Sequence, residues 1–130
     1  VLYLDASALV KRYIEEDGTE LVISAMEKAA AWSMCRIGYV ETMRAVARAG
    51  GAKQAKKVEA DWPSFDVIEV DEELAQHAAE LTLSAELRSL DALHLAAALA
   101  LPGEVTVATW DTRLHRAATE HGLATIPASP

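Results

Sequence analysis

Four carboxylates stand out in this chain by their surroundings. Asp5 lies in Leu4-Asp5-Ala6-Ser7, where an apolar run ends and a hydroxyl follows two residues on. Asp111 has a similar setting in Thr109-Trp110-Asp111-Thr112, and Asp91 is the one acid in the apolar stretch Leu90-Asp91-Ala92-Leu93-His94-Leu95. Glu41 sits beside Val40 in Gly38-Tyr39-Val40-Glu41-Thr42. Hard cations such as Mg²⁺ and Mn²⁺ take oxygen ligands and keep several waters. Two such ions about 4 Å apart can activate a water and stabilise a leaving oxygen in phosphodiester hydrolysis. That chemistry needs clustered carboxylates, and the chain offers no His/Cys cluster of the kind zinc takes.

Each acid also has a plainer explanation. Asp5, Ser7 and Asp111 are good helix caps, satisfying free N–H groups at a first turn. Asp91 would suit the positive end of a helix dipole. Glu41 could pair with Arg44 one turn on. His94, on an Ala/Leu helix, reads as a satisfied core histidine. Taken singly, the residues leave both readings open.

The acids need a scaffold to gather them. Val1 to Asp5 reads as a buried strand and Ala6 to Ile14 as a helix, ended by the Glu15-Glu16-Asp17-Gly18 turn. Thr19 to Ala30 is a second helix and Ala31 to Met34 a short strand. Arg36 to Ala49 has Ile37, Val40, Met43 and Ala47 at helical spacing, with Gly50-Gly51 as its stop. A further helix, Ala52 to Asp61, breaks at Trp62-Pro63, and Asp66 to Val70 is a strand. Asp71 caps a helix to about Glu86, and another runs from Ser89 or Leu90 to Leu101. Val105 to Thr109 is a strand, Asp111 to His121 a helix ended by Gly122, and Ala124 to Ile126 a last strand. Strands alternating with helices predict an α/β fold with a parallel sheet covered on both faces. Sites in such sheets form beyond the carboxyl ends of the strands, where Asp5 and Asp111 fall.

At 130 residues the chain fits one domain with a real hydrophobic core. Its apolar fraction is 52%, with much alanine and only 5% aromatics, which suits close helix packing. One cysteine, Cys35, allows no internal disulfide and suits a reducing, cytoplasmic setting, where it reads as a small buried apolar residue. No charged leader segment precedes the first strand, so no signal peptide is expected, and no apolar run is long enough to span a bilayer. The formal net charge of −8 opposes non-specific nucleic-acid binding. Bound cations would invert that logic locally.

Along four segments the sequence resembles the PIN-domain family, and within it the VapC-type toxins of bacterial and archaeal toxin–antitoxin pairs. The segments are LDASALVKRY from Leu4 to Tyr13, SMCRIGYVETMRAVAR from Ser33 to Arg48, LRSLDALHLAAAL from Leu87 to Leu99 and VATWDTRLHRAA from Val107 to Ala118. They span nearly all of residues 1–130, one complete domain. The resemblance implies a Rossmann-like three-layer α/β/α fold and an endoribonuclease dependent on Mg²⁺ or Mn²⁺. It maps the metal ligands to Asp5, Glu41, Asp91 and Asp111, with Ser7 and Thr109 as polar helpers. It also implies a homodimer neutralised by a small antitoxin. On that mapping Asp5 and Asp91 would hold a first metal, with Asp111 completing or bridging its shell. Glu41 would hold a second metal or position the attacking water. Arg12, Arg44, Arg88 and Arg113 lie within one or two turns of the acids and are candidate phosphate contacts, though solvated surface or ion pairs with the acids would explain them as well.

Other acidic α/β sites fit less well. A phosphoaspartyl phosphatase wants a second Asp two residues after the first, where this chain has Ser7. A receiver domain wants a late lysine near a strand end, and the last lysine here is Lys57. An RNA-processing nuclease outside any toxin pair, or a catalytically silent PIN-like protein-binding module, would share the same fold.

Overall fold

The computed structural model describes residues 1–130. Strand β1, Leu2–Leu4, is buried along its whole length, as a central parallel strand covered on both faces must be. Helix α1, Ala6–Tyr13, starts immediately after it, and α2, Thr19–Lys28, follows the Gly18 turn. Then come β2, Trp32–Cys35, and the long α3, Arg36–Asp61. One turn of 3-10 helix, Trp62–Ser64, leads into β3, Phe65–Ile68. The second half contains α4 (Glu72–Ser84), α5 (Ser89–Ala100), β4 (Thr106–Ala108), α6 (Thr112–Glu120) and β5 (Ala124–Ile126).

The five strands form one parallel sheet in the order β3-β2-β1-β4-β5. The chain builds outward from β1 to β3 on one side, then returns to place β4 on the other side of β1. That reversal opens a crevice at the carboxyl ends of β1 and β4. Side chains alternate across the sheet. Leu2, Leu4, Met34 and Ala108 face a core shared with α1, α2 and α3, where Leu9, Val22, Met26, Val46 and Val58 are buried. Tyr3, Cys35 and Val107 face the other core, with α4, α5 and α6. Ala92, Ala96, Ala97 and Ala98 are all buried on α5, so this helix lies in close contact on several sides. No helix is long and apolar enough to cross a membrane.

As expected, the helix from Arg36 is interrupted at the glycine pair and a second segment runs to Asp61: Gly51 leaves helical geometry, at φ 74° and ψ −172°. Glycine adopts that left-handed φ without a Cβ penalty, so two helical segments abut at one residue. One expectation about α3 is corrected: the buried stripe is not Ile37-Val40-Met43-Ala47. Val40 is 59% exposed, and the buried positions are Gly38, Thr42 and Val46. Small residues win because this face lies tightly against its neighbours: a Cβ on Gly38 would come within 2.6 Å of the Met34 side chain. The remaining differences are shifts of strand and helix ends. The third strand ends at Ile68, before Glu69 and Val70 leave the sheet, and α4 ends at Ser84.

Candidate active site

Asp5 follows β1 directly and is almost fully buried. Its Oδ1 accepts the α1 backbone N–H of Ala8 at 3.0 Å and the Ser7 hydroxyl at 2.7 Å. Its Oδ2 accepts the Thr109 hydroxyl at 2.6 Å. Each hydroxyl in turn receives a backbone N–H from the turn after β4: Trp110 to Ser7 at 2.8 Å, and Asp111 to Thr109 at 3.1 Å. Ser7 and Thr109 therefore tie the end of β1 to the end of β4 and fix the carboxylate between them. Burial raises the Asp5 pKa above its ordinary value, against the opposing pull of the nearby His94 and of these hydrogen bonds.

Asp111 divides its two oxygens between structure and site. Oδ1 caps α6, accepting the N–H groups of Arg113 and Leu114 at 3.0 Å each. Oδ2 faces outward and accepts Arg88 Nη2 at 3.1 Å. Asp91, in the first turn of α5, accepts Arg88 Nε at a long 3.4 Å. Capping and site chemistry are thus compatible in one residue, which is why sequence alone could not choose between them.

Glu41 does not pair with Arg44. Its Oε1 lies 2.7 Å from His94 Nε2. The other ring nitrogen of His94 lies 2.7 Å from the Tyr3 hydroxyl, which accepts the Cys35 backbone N–H at 3.0 Å. His94 is buried and satisfied, as expected, but its partner is one of the four acids. Tyr3 carried no sequence signal beyond lying two residues before Asp5. Cys35 is buried, with its thiol pKa raised by burial.

Asp5, Glu41, Asp91 and Asp111 line one cavity of about 440 Å³ together with Ala6, Ser7, Arg88, Ser89, Leu90 and His94. The four acids are thus brought together from both sides of the switch point. No three of its His, Cys, Asp and Glu side chains converge closely enough to ligate one ion in this conformation. Arg88 accounts for part of that, since its guanidinium spans Asp91 and Asp111 and supplies the counter-charge itself. That side chain is 67% exposed, so its ion pairs are weak and easily exchanged. The donor set suits a hard divalent cation: carboxylate oxygens, neighbouring hydroxyls and no thiolate.

The other arginines separate. Arg12 turns away from the cavity, with its Nε 3.1 Å from Asp61 and its guanidinium over Trp32. The expected phosphate contact at Arg12 finds no support, because the side chain is committed elsewhere. Arg44 and Arg113 are exposed. Arg113 and Arg88 line an open groove that adjoins the cavity through Arg88.

The PIN domain family model matches residues 2–120. The chain belongs to the PIN-domain family. Ribonuclease VapC49 of Mycobacterium tuberculosis (strain ATCC 25618 / H37Rv) is 36% identical over 139 residues, covering 98% of this chain and 96% of that protein. Among solved structures, the Mycobacterium tuberculosis toxin VapC20, described as cleaving the sarcin-ricin loop, superposes with a TM-score of 0.77. It is 15% identical and covers 90% of this chain and 95% of that one. A toxin–antitoxin complex from Klebsiella pneumoniae gives a TM-score of 0.71 at 18% identity, covering 87% and 88%. At such identities these two establish the fold. The phosphoaspartyl and receiver alternatives are set aside, and the cavity described above is that of a PIN domain.

Proposed function

We propose that this PIN domain is an endoribonuclease, the toxin of a toxin–antitoxin pair, which cleaves RNA with the help of Mg²⁺ or Mn²⁺. The observation that carries the reading is the convergence of Asp5, Glu41, Asp91 and Asp111 on one cavity at the sheet's switch point. The ribonuclease names of full-length relatives support the reaction class. Asp5, Asp91 and Asp111 are the residues that would hold the cation, with Glu41 in the wall of the same cavity. When bound, such an ion supplies a Lewis acid for the phosphodiester and acidifies an attacking water.

The chain's own residues do the rest. Ser7 and Thr109 hold Asp5 in one orientation, so its remaining acceptor site keeps its aim. Glu41 has one oxygen on His94 and the other available to accept a proton from, or orient, a water in the cavity. Arg88 is placed to leave the acids and meet a phosphate, and Arg113 lies along the adjoining groove. Both would contribute the positive charge that a chain of net charge −8 otherwise lacks near its substrate.

The partner in this reading is a small antitoxin protein, as in the Klebsiella pneumoniae complex. The chain is further proposed to pair as a homodimer, which light scattering of the purified protein would test. The nuclease reading is tested with purified chain and single-stranded or structured RNA. Cleavage is expected with Mg²⁺ or Mn²⁺ and not in chelator. Asp5→Asn and Asp91→Asn are each expected to reduce the rate at least about 100-fold while circular dichroism stays native. Wild-type rates from either variant would sink the assignment.

A further inference from the structure

An unbroken polar chain leads from the sheet to the cavity: Cys35 N–H, Tyr3 hydroxyl, His94 imidazole, Glu41 carboxylate, the last two lining it. Three of its members, Cys35, Tyr3 and His94, are 3% exposed or less. Cys35 and Tyr3 have no solvent exposure, so the direction of their hydrogen bonds is settled within the chain itself.

We propose that His94 is a positioning residue that presents Glu41 to the cavity as an oriented carboxylate, with its Nε2–H tautomer fixed by Tyr3. The backbone N–H of Cys35 can only donate, so the Tyr3 oxygen accepts it. The Tyr3 proton must then go to an acceptor, and His94 Nδ1, at 2.7 Å, is the one in reach. A phenol keeps its proton at neutral pH. Nδ1 therefore carries no proton. The single imidazole proton sits on Nε2 and is donated to Glu41 Oε1 at 2.7 Å.

The arrangement differs from a structural ion pair in what it does to Glu41. One carboxylate oxygen is occupied by a buried donor from α5, and the other has no side-chain partner in a cavity that Glu41 lines with Asp5 and Asp91. Room for this geometry comes from Gly38, where a Cβ would approach His94 Cε1 to 3.1 Å.

The inference rests on the metal-dependent reading above, but its first test needs no activity. Long-range ¹H–¹⁵N correlation on the metal-free, ¹⁵N-labelled full chain reads each imidazole tautomer. His94 signals are assigned by their loss in His94→Gln. Nε2 is expected to be protonated and Nδ1 bare. A proton on Nδ1, or on both nitrogens, at neutral pH would overturn the proposal. The expected tautomer in a chain that cleaves no RNA would fault the nuclease reading and leave the relay standing.

The second test separates positioning from packing. His94→Leu removes the acceptor of the buried Tyr3 hydroxyl and is expected to melt below wild type. Its Mn²⁺ affinity, read by electron paramagnetic resonance, is expected to fall about ten-fold, and kcat about 10–100-fold with KM little changed. His94→Gln, whose amide can donate to Glu41, is expected to recover at least ten-fold of the lost kcat. If Mn²⁺ affinity and kcat simply followed the melting temperature across the three proteins, His94 would be packing alone.

Discussion

Asp5 shows how one residue serves two purposes at once. Its Oδ1 accepts the cap bond of α1, and Oδ2 takes Thr109 from the other side of the sheet's switch point. The sequence made the cap legible, because Asp before Ala-Ser-Ala is a good helix start. The Thr109 bond joins residues 104 positions apart, and nothing local encodes it. His94 was legible only as a buried histidine, since its partners Tyr3 and Glu41 lie on two other elements. A consequence for pH follows from Asp5. Its raised pKa means that the fold favours the protonated acid over the ionised one. From this group, the metal-free protein loses stability as pH rises from the ordinary aspartate range through the raised pKa, and keeps that penalty above it. Asp5→Asn removes the titration. In chelator, the variant's melting temperature minus that of wild type is therefore expected to grow as pH rises above the ordinary aspartate range of about 4. A flat difference above that range would mean that hydrogen bonding fully offsets the desolvation of the carboxylate.

The order and type of the elements were readable because hydrophobic period and turn residues agree almost everywhere along the chain. Strand ends slipped by one or two residues, because pairing with a neighbour strand decides where a ladder stops. Helix α3 departed most. Period alone favoured Ile37, Val40, Met43 and Ala47 as its buried face, but close approach to the sheet and α1 selected Gly38, Thr42 and Val46. That offset brings Glu41, next to Thr42, to the cavity wall. Gly38 is the residue that sets the approach, since a methyl there would collide with Met34 and press on His94. Gly38→Ala should gain roughly 1 kcal/mol of helix propensity. Met34 is fully buried and has little room to yield, so overpacking of about 1–3 kcal/mol is expected to win. The expected outcome is a net loss of up to about 2 kcal/mol in urea denaturation, with a disproportionate loss of cleavage as His94 is pushed from Glu41. An active variant of raised stability would show that α3 can move away from the sheet without consequence.

At the scale of the whole molecule, the chain tolerates four carboxylates around one cavity on a scaffold already carrying a net charge of −8. Charges of one sign gathered in a partly enclosed space destabilise the fold until counter-charge arrives. In this conformation part of it is Arg88, shared between Asp91 and Asp111. An exposed guanidinium reaches only the rim, leaving Asp5 uncompensated at the buried end. A divalent cation entering the cavity would neutralise more charge and bind the folded state alone. Stability should therefore rise as RT ln(1 + [L]/Kd), about 2.7 kcal/mol at a hundred times Kd. For a protein of this size that corresponds to a rise in melting temperature on the order of 10 °C. Differential scanning fluorimetry with Mg²⁺ or Mn²⁺, against NaCl at matched ionic strength, measures it directly. Screening of surface charge would act equally in both salts, so the specific increment is their difference, and it should collapse in Asp5→Asn and Asp91→Asn. An equal shift with Na⁺, or an undiminished one in both variants, would place the cation elsewhere on this acidic surface and remove the basis for metal-assisted cleavage in the cavity.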